Sequence, residues 1–242
     1  ALESAGCAVR RHFLQAEVDF AVTDSILSSI TPEVDMVFLC QPNNPTGQLT
    51  PLPLVERILR RCEACGALLV VDECFLDFLP DCDTLTAKTL LDSKNLLILK
   101  AFTKLYGMAG VRLGYCLCAN TALLEAMQAA GQPWAVSSLA QAAGLAALDE
   151  TAYVAQVRAL IAQQRPRLTA GLRALGLRVL DGRANYLLFQ GPETLGDALR
   201  QWGVVLRSCS NYPGLDGSWY RTAVRTGPEN DELLKTLAEV LA

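Results

Sequence analysis

Over its first 130 residues the chain alternates short, unbroken apolar runs with amphipathic stretches. MVFLC (36–40) is one such run, and it stops at the turn-rich QPNNPTG. ALLVVDE (67–73), NLLILKAF (95–102) and VRLGYCLCA (111–119) repeat the pattern. Continuous hydrophobicity, as opposed to strict alternation, predicts strands buried on both faces. Between the first two runs, Leu54, Val55, Ile58 and Leu59 fall at helical spacing, predicting a helix over 52–65 with Gly66 as its stop. Asn120 or Thr121 is expected to cap another helix running through Ala130. Strands alternating with helices predict an α/β fold, a mostly parallel sheet sandwiched by helices.

The second half reads differently. Ser137 or Ser138 is expected to cap a helix, and a long helical stretch follows from Thr151 to Leu175. Pro166 should kink or break that stretch, and Gly176 should end it. LRVL (177–180) and ANYLLF (184–189) then predict short strands on either side of an Asp181–Gly182 turn. A helix around 194–202, strands at VVLRSC (204–209) and WYRTAVR (219–225), and a helix over 229–241 complete the chain. This predicts a smaller C-terminal α+β domain over 151–242, set beside a large domain over 1–150.

Composition narrows the function. Of the 242 residues 51% are hydrophobic, enough for a filled core. A net charge of -4 without any basic cluster argues against nucleic acid or an acidic lipid surface as partner. The nine cysteines include one C-x-x-C, Cys62 and Cys65, inside a helical pattern, and the only histidine is His12. That spacing offers no zinc or other metal site. Reduced thiols in a cytoplasmic protein, most of them small core hydrophobes, are expected instead. The start of the chain has no apolar signal region, and no apolar run approaches the ~20 residues of a membrane span.

In open α/β sheets ligands bind beyond the carboxyl ends of the strands. Three such ends bear polar residues: Asn44 in NPTG, Asp72 in VVDE and Lys104 in KAFTKLYG. Each alone has an ordinary explanation as a turn, a cap or a solvated side chain. Together they are the set that pyridoxal phosphate (PLP) requires. A lysine amine exchanges with a substrate amine, a carboxylate faces the ring nitrogen, and an amide donates to the ring hydroxyl O3′. Arg112, eight residues beyond Lys104 across GMAG, offers a fork for the phosphate.

The segment from Lys104 to Tyr115, KLYGMAGVRLGY, resembles the lysine signature of the class I/II aminotransferases, of PLP-transferase fold type I. Asn44-Pro45-Thr46-Gly47 and Asp72 stand at the family's spacings, and the resemblance covers the whole chain. It implies that Lys104 holds the cofactor covalently, Asn44 contacts O3′, Asp72 the ring nitrogen and Arg112 the phosphate. Within the family, LRSCSNYPGLDGSWYRTAVR (206–225) is more similar to the threonine-phosphate decarboxylases of cobalamin biosynthesis than to the histidinol-phosphate aminotransferases. So is Phe75, at a cofactor-facing position where most relatives have a tyrosine. The likeness implies that Arg221 binds the substrate carboxylate, with Asn185 nearby, and Arg207 the substrate phosphate. Period-two alternation places Arg225 on the face of Arg221, where it would support the same anion site.

Ala101 stands where relatives have a hydroxyl for the cofactor phosphate, and Thr103 is the candidate to compensate. The family's first third, with its Gly-rich phosphate turn, is expected to lie ahead of this chain. The relatives are homodimers, and one is implied here for the full-length protein. The expected function is PLP-dependent decarboxylation of a small phosphorylated amino acid. The alternatives are transfer of an amino group to 2-oxoglutarate, or a fragment lacking the phosphate cup.

Overall fold

The computed structural model describes residues 2–242. A short helix α1 (Ile26–Ser29) precedes β1 (Met36–Cys40), and α2 (Leu52–Cys65) leads into β2 (Leu68–Asp72). A single helical turn, α3 (Cys82–Leu85), and β3 (Leu96–Ala101) follow, then β4 (Gly114–Leu117). These strands form one sheet in the order β1-β2-β3-β4, with the first three parallel and β4 antiparallel to β3. The register sets Cys40 beside Asp72 and Asp72 beside Leu99, so the carboxyl ends of three strands are level. One face of the sheet (Leu39, Leu69, Val71, Leu96, Ile98) packs on Leu54, Val55, Ile58 and Leu59 of α2, all buried. Each such side chain removed from water stabilises the fold by roughly 1.5–3 kcal/mol. Gly66, at φ 73°, ends α2 and donates its amide to Glu63.

Helices α4 (Thr121–Ala130) and α5 (Ser138–Asp149) are capped by the Asn120 carboxamide and the Ser137 hydroxyl. A long helix, α6 (Thr151–Ala174), leads to the second sheet. This contains β5 (Arg178–Val179), β6 (Tyr186–Gln190), β7 (Arg207–Ser208) and β8 (Trp219–Ala223), with α7 (Leu195–Gln201) between β6 and β7. Its order is β5-β6-β8-β7, antiparallel throughout. The closing helix α8 (Gly227–Leu241) starts with a capping box between Thr226 and Glu229. Leu14, Ala16 and Phe20, from the start of the chain, pack on Leu180, Leu188, Cys209 and Trp219 of this second half.

Several expectations differ from what is observed, among them burial of β1 on both faces, since Met36 and Phe38 are exposed. Pro166 does not break α6, because Ile161, Gln164, Leu168 and Leu172 are buried on both sides of it and offset the ~3 kcal/mol a mid-helix proline costs. The fourth strand begins at Gly114, not Val111. Ala109–Val111 forms a 3-10 turn, and Arg112 at φ 58° is left-handed, which takes the chain out of the sheet there. Of the cysteines, all free, only Cys62, Cys82 and Cys209 are core residues. Among the described residues no helix is long and apolar enough to cross a membrane.

Beneath the strand ends lies an ion cluster. Lys100 Nζ, on a side chain only 2% exposed, meets Glu73 at 3.1 Å and Asp77 at 2.8 Å. Glu73, fully buried, also accepts from the Thr86 hydroxyl and the Ala87 amide, both at 2.7 Å. Burial works against the Lys100 ammonium, but the hydrogen bond and charge of Asp77, then of Glu73, outweigh it and raise its pKa. The cluster ties β3 to the segment after β2. Lys100→Met should leave Glu73 buried without its cation and cost about 3–5 kcal/mol in urea unfolding, with Lys100→Met/Glu73→Gln regaining part of it.

Candidate active site

The loop after β1 is closed by its own hydrogen bonds. Gln41, buried, grips the Thr50 amide and carbonyl, each at 2.8 Å. Asn43 and Gly47 pair across the turn at 2.6 Å, and the Thr46 hydroxyl donates to the Asn43 carboxamide at 2.9 Å. Asn44 is thereby presented at the tip. Its Oδ1 accepts from the Arg221 guanidinium of β8 and, at 3.5 Å, from the Tyr212 hydroxyl. With the oxygen taken, the Nδ2 amide remains as the donor to a ligand.

Asp72 ends β2 half-buried, and its carboxylate accepts the Cys74 amide at 3.0 Å. Lys104 lies in the turn after β3, exposed, with Nζ 5.2 Å from the centre of the Phe75 ring. That ring meets Tyr186 edge-on at 5.1 Å and stacks near Phe78 at 6.4 Å. Tyr186 is buried, donates to the Asn43 carbonyl at 2.8 Å, and has the Arg221 guanidinium over its face at 5.0 Å. Tyr186 therefore links Phe75, the NPTG loop and β8. Burial raises its hydroxyl's pKa, with Cys40 adding to the rise and Arg221 opposing it.

On the second sheet Arg207 stands directly opposite Arg221 across β7 and β8. Arg207 is exposed and donates to Asn211 at 3.1 Å. Asn185, just before β6, has the only buried side-chain oxygen without a hydrogen-bond partner among the described residues. An orphaned buried acceptor is rare in a folded protein and points to a missing donor.

The structure thus assembles Asn44, Asp72, Phe75, Lys104 and Arg221 around Tyr186, with Arg207 and Asn185 along the second sheet. Arg112 is exposed and folds back onto the Ala109 carbonyl at 3.1 Å. Thr103 is half-buried in the turn before Lys104. Neither is drawn into that cluster by a hydrogen bond. Arg225 does not join Arg221. Strand β8 ends at Ala223, so the alternation lapses, and Arg225 pairs with Glu229 of α8 at 2.8 Å.

Residues outside the sequence expectation also border the site. Tyr212 comes from the SNYPG turn, which gives no sign of facing Asn44. Cys40 and Cys74 flank Asp72, and the position of Cys74 two residues beyond Asp72 was the available signal. The Cys74 thiol is pushed up to about 12 by burial, then by its hydrogen bond to Asp72 and the charges of Asp72 and Cys40, while Lys104 opposes.

The chain belongs to the aminotransferase class I and II family, whose model matches residues 1–238. It is 38% identical over 245 residues to a threonine-phosphate decarboxylase from Salmonella typhimurium, covering 100% of this chain and 67% of that protein. Among solved structures it superposes on the histidinol-phosphate aminotransferase of Clostridium acetobutylicum with a TM-score of 0.94 at 27% identity, over 99% of this chain and 73% of that one. The Sinorhizobium meliloti histidinol-phosphate aminotransferase in complex with pyridoxal-5'-phosphate matches at a TM-score of 0.74 and 26% identity, over 86% of this chain and 58% of that one. The chain spans 60 to 67% of the length of the first curated relatives it matches. The fold is that of the type I PLP aminotransferases.

The raised Cys74 thiol has a direct consequence. Below a pKa near 12 the thiolate fraction rises tenfold per pH unit. Alkylation of Cys74 by iodoacetamide, followed by peptide mass spectrometry, should therefore accelerate about tenfold per unit between roughly pH 7 and 9. Asp72→Asn should speed it at fixed pH, since removing that charge lowers the thiol's pKa. An unchanged rate in Asp72→Asn would show that the carboxylate does not act on the thiol.

Proposed function

We propose that this chain contains the lysine, ring-binding and substrate-binding residues of a PLP enzyme that decarboxylates a small phosphorylated amino acid. The supporting observation is the direct opposition of Arg207 and Arg221 on one sheet face. Like charges opposite one another in an antiparallel pair are destabilising, by roughly 0.2–1 kcal/mol. Their hydrogen-bond partners, Asn211 and Asn44, are neutral. A substrate bearing both a carboxylate and a phosphate would neutralise the two together.

The donor set fits PLP. An amine, a carboxylate and an amide with a free donor converge at three strand ends. Bound there, PLP supplies an electron sink beside the substrate's Cα. Asp72 would face the ring nitrogen, Asn44 Nδ2 would donate to the ring hydroxyl, and Phe75 would line the ring without donating. Lys104 Nζ would hold the cofactor and deliver or accept a proton at Cα. Arg112 and Thr103 would serve the cofactor phosphate. Arg221, stacked on Tyr186 and bonded to Asn44, would hold the carboxylate at a fixed angle to the ring. That angle selects loss of CO2 over loss of the proton. The site would lie between a large domain over 1–150 and a small one over 151–242.

The close superposition on a histidinol-phosphate aminotransferase favours a second reading, amino transfer from a phosphorylated amine. One assay separates them. With PLP supplied, CO2 release from O-phospho-L-threonine without any keto acid supports the decarboxylase. Transfer from histidinol phosphate to 2-oxoglutarate overturns it.

Two substitutions test the residues. Lys104→Ala should abolish the protein-bound imine absorbance that PLP forms with the wild type, measured after unbound PLP is removed. Arg207→Gln should raise KM for the phosphorylated amino acid about tenfold or more, with a much smaller effect on the unphosphorylated one. Equal effects on both would remove Arg207 from the phosphate site.

A further inference from the structure

The segment 181–186 passes between the two sheets and is held on both sides. On one side the guanidinium of Arg165, from the middle of α6, donates to three carbonyls: Gly182, Ala184 at 3.1 Å and Tyr186 at 3.0 Å. In an extended chain alternate carbonyls point the same way, and a planar fork can span them. On the other side Arg183 donates its amide to the Gly47 carbonyl at 2.6 Å, and the Asn185 carbonyl accepts from Val224 at 2.9 Å.

Side chains tighten the seam. Arg183 holds Asp81 through both guanidinium nitrogens, at 2.8 and 3.0 Å. Gly182 lies so close to the NPTG turn that an added Cβ would sit 2.4 Å from the Thr46 carbonyl oxygen and 2.7 Å from Gly47. Only glycine fits there. The hydrogen bonds of Arg165 go to carbonyls alone, and burial lowers its pKa to about 10, which still leaves it charged at neutral pH.

We infer that Arg165 is a positioning residue: by clamping residues 182–186 against the NPTG turn, it sets Asn185 and Asn44 relative to Arg221. This rests on the reading of Asn44 as a cofactor-binding residue and of Asn185 and Arg221 as part of the substrate site. Arg165 touches neither substrate nor cofactor in this scheme. It acts through the backbone on each side of Asn185. A lysine keeps the charge but reaches fewer carbonyls at once, so it should restore the clamp only in part.

The test uses the full chain with PLP added, in wild type, Arg165→Lys, Arg165→Ala, Gly182→Ala and the Arg165→Ala/Gly182→Ala double variant. Tryptic cleavage after Arg183, located by mass spectrometry, reports the clamp. The dissociation constant of O-phospho-L-threonine reports the site, and Tm is followed alongside. Arg165→Ala and Gly182→Ala should each speed the cleavage and weaken binding about tenfold. Arg165→Lys should recover part of both at a similar Tm. The double variant should be no worse than the worse single one, because both substitutions release the same segment. Wild-type cleavage in Arg165→Ala, or losses that multiply in the double variant, would overturn the inference. Should Arg165→Ala fail to fold, wild-type cleavage and binding in Arg165→Lys would overturn it equally. If the wild type does not bind O-phospho-L-threonine, the substrate reading fails alone, and the cleavage and double-variant results still decide the clamp.

Discussion

The hydrogen bond from Arg221 to the Asn44 carboxamide joins the two sheets at the point where the proposed chemistry sits. The residues are 177 apart in sequence, one at the tip of a loop and the other on a strand of the second sheet. A guanidinium is costly to bury without acceptors, so half-buried Arg221 needs the Asn44 oxygen and the Tyr186 face. Asn44 in turn is oriented by that demand. Its oxygen points to β8, which leaves its amide nitrogen free. The same contact therefore ties the two sheets together and sets the polarity of the ligand-facing group.

The other polar groups follow from the same economy of hydrogen bonds. Strands β2 and β3, buried on both faces, can place ionisable groups only at their ends or in compensated clusters. Asp72 and Lys104 lie at the ends. Glu73 and Lys100, adjacent in the fold but one layer deeper, offset each other's charge, and Asp77 shares the same ammonium. Neighbouring residues in the sequence thus serve different purposes. Asp72 faces outward with a carboxylate held by one amide, while Glu73 faces inward with its oxygens engaged by Lys100, Thr86 and Ala87.

Much of this was legible in the chain. Unbroken apolar runs located β1, β2 and β3, although only β2 and β3 are covered on both faces, while Met36 and Phe38 of β1 are exposed. Gly66, Asn120 and Ser137 marked helix ends through local chemistry, which needs no partner far away. Asn44, Asp72 and Lys104 stood out because each closes an apolar run. Pro166 misled, since its local cost is offset by burial contributed from other elements. Arg225 misled as well, since two-residue alternation says nothing about where a strand stops.

The sequence by itself determined the element order, the fold class and the polar residues at the strand ends, because periodicity, caps and run length are local properties. The tertiary structure decided which of those residues meet. It set Arg207 against Arg221, turned the Asn44 oxygen toward β8 and brought Tyr212 to the same atom. It also left the Asn185 oxygen without a partner and drew Arg165 onto the segment beside it. These depend on contacts between residues far apart in the chain, and the pattern along one segment holds no record of what another segment will press against it.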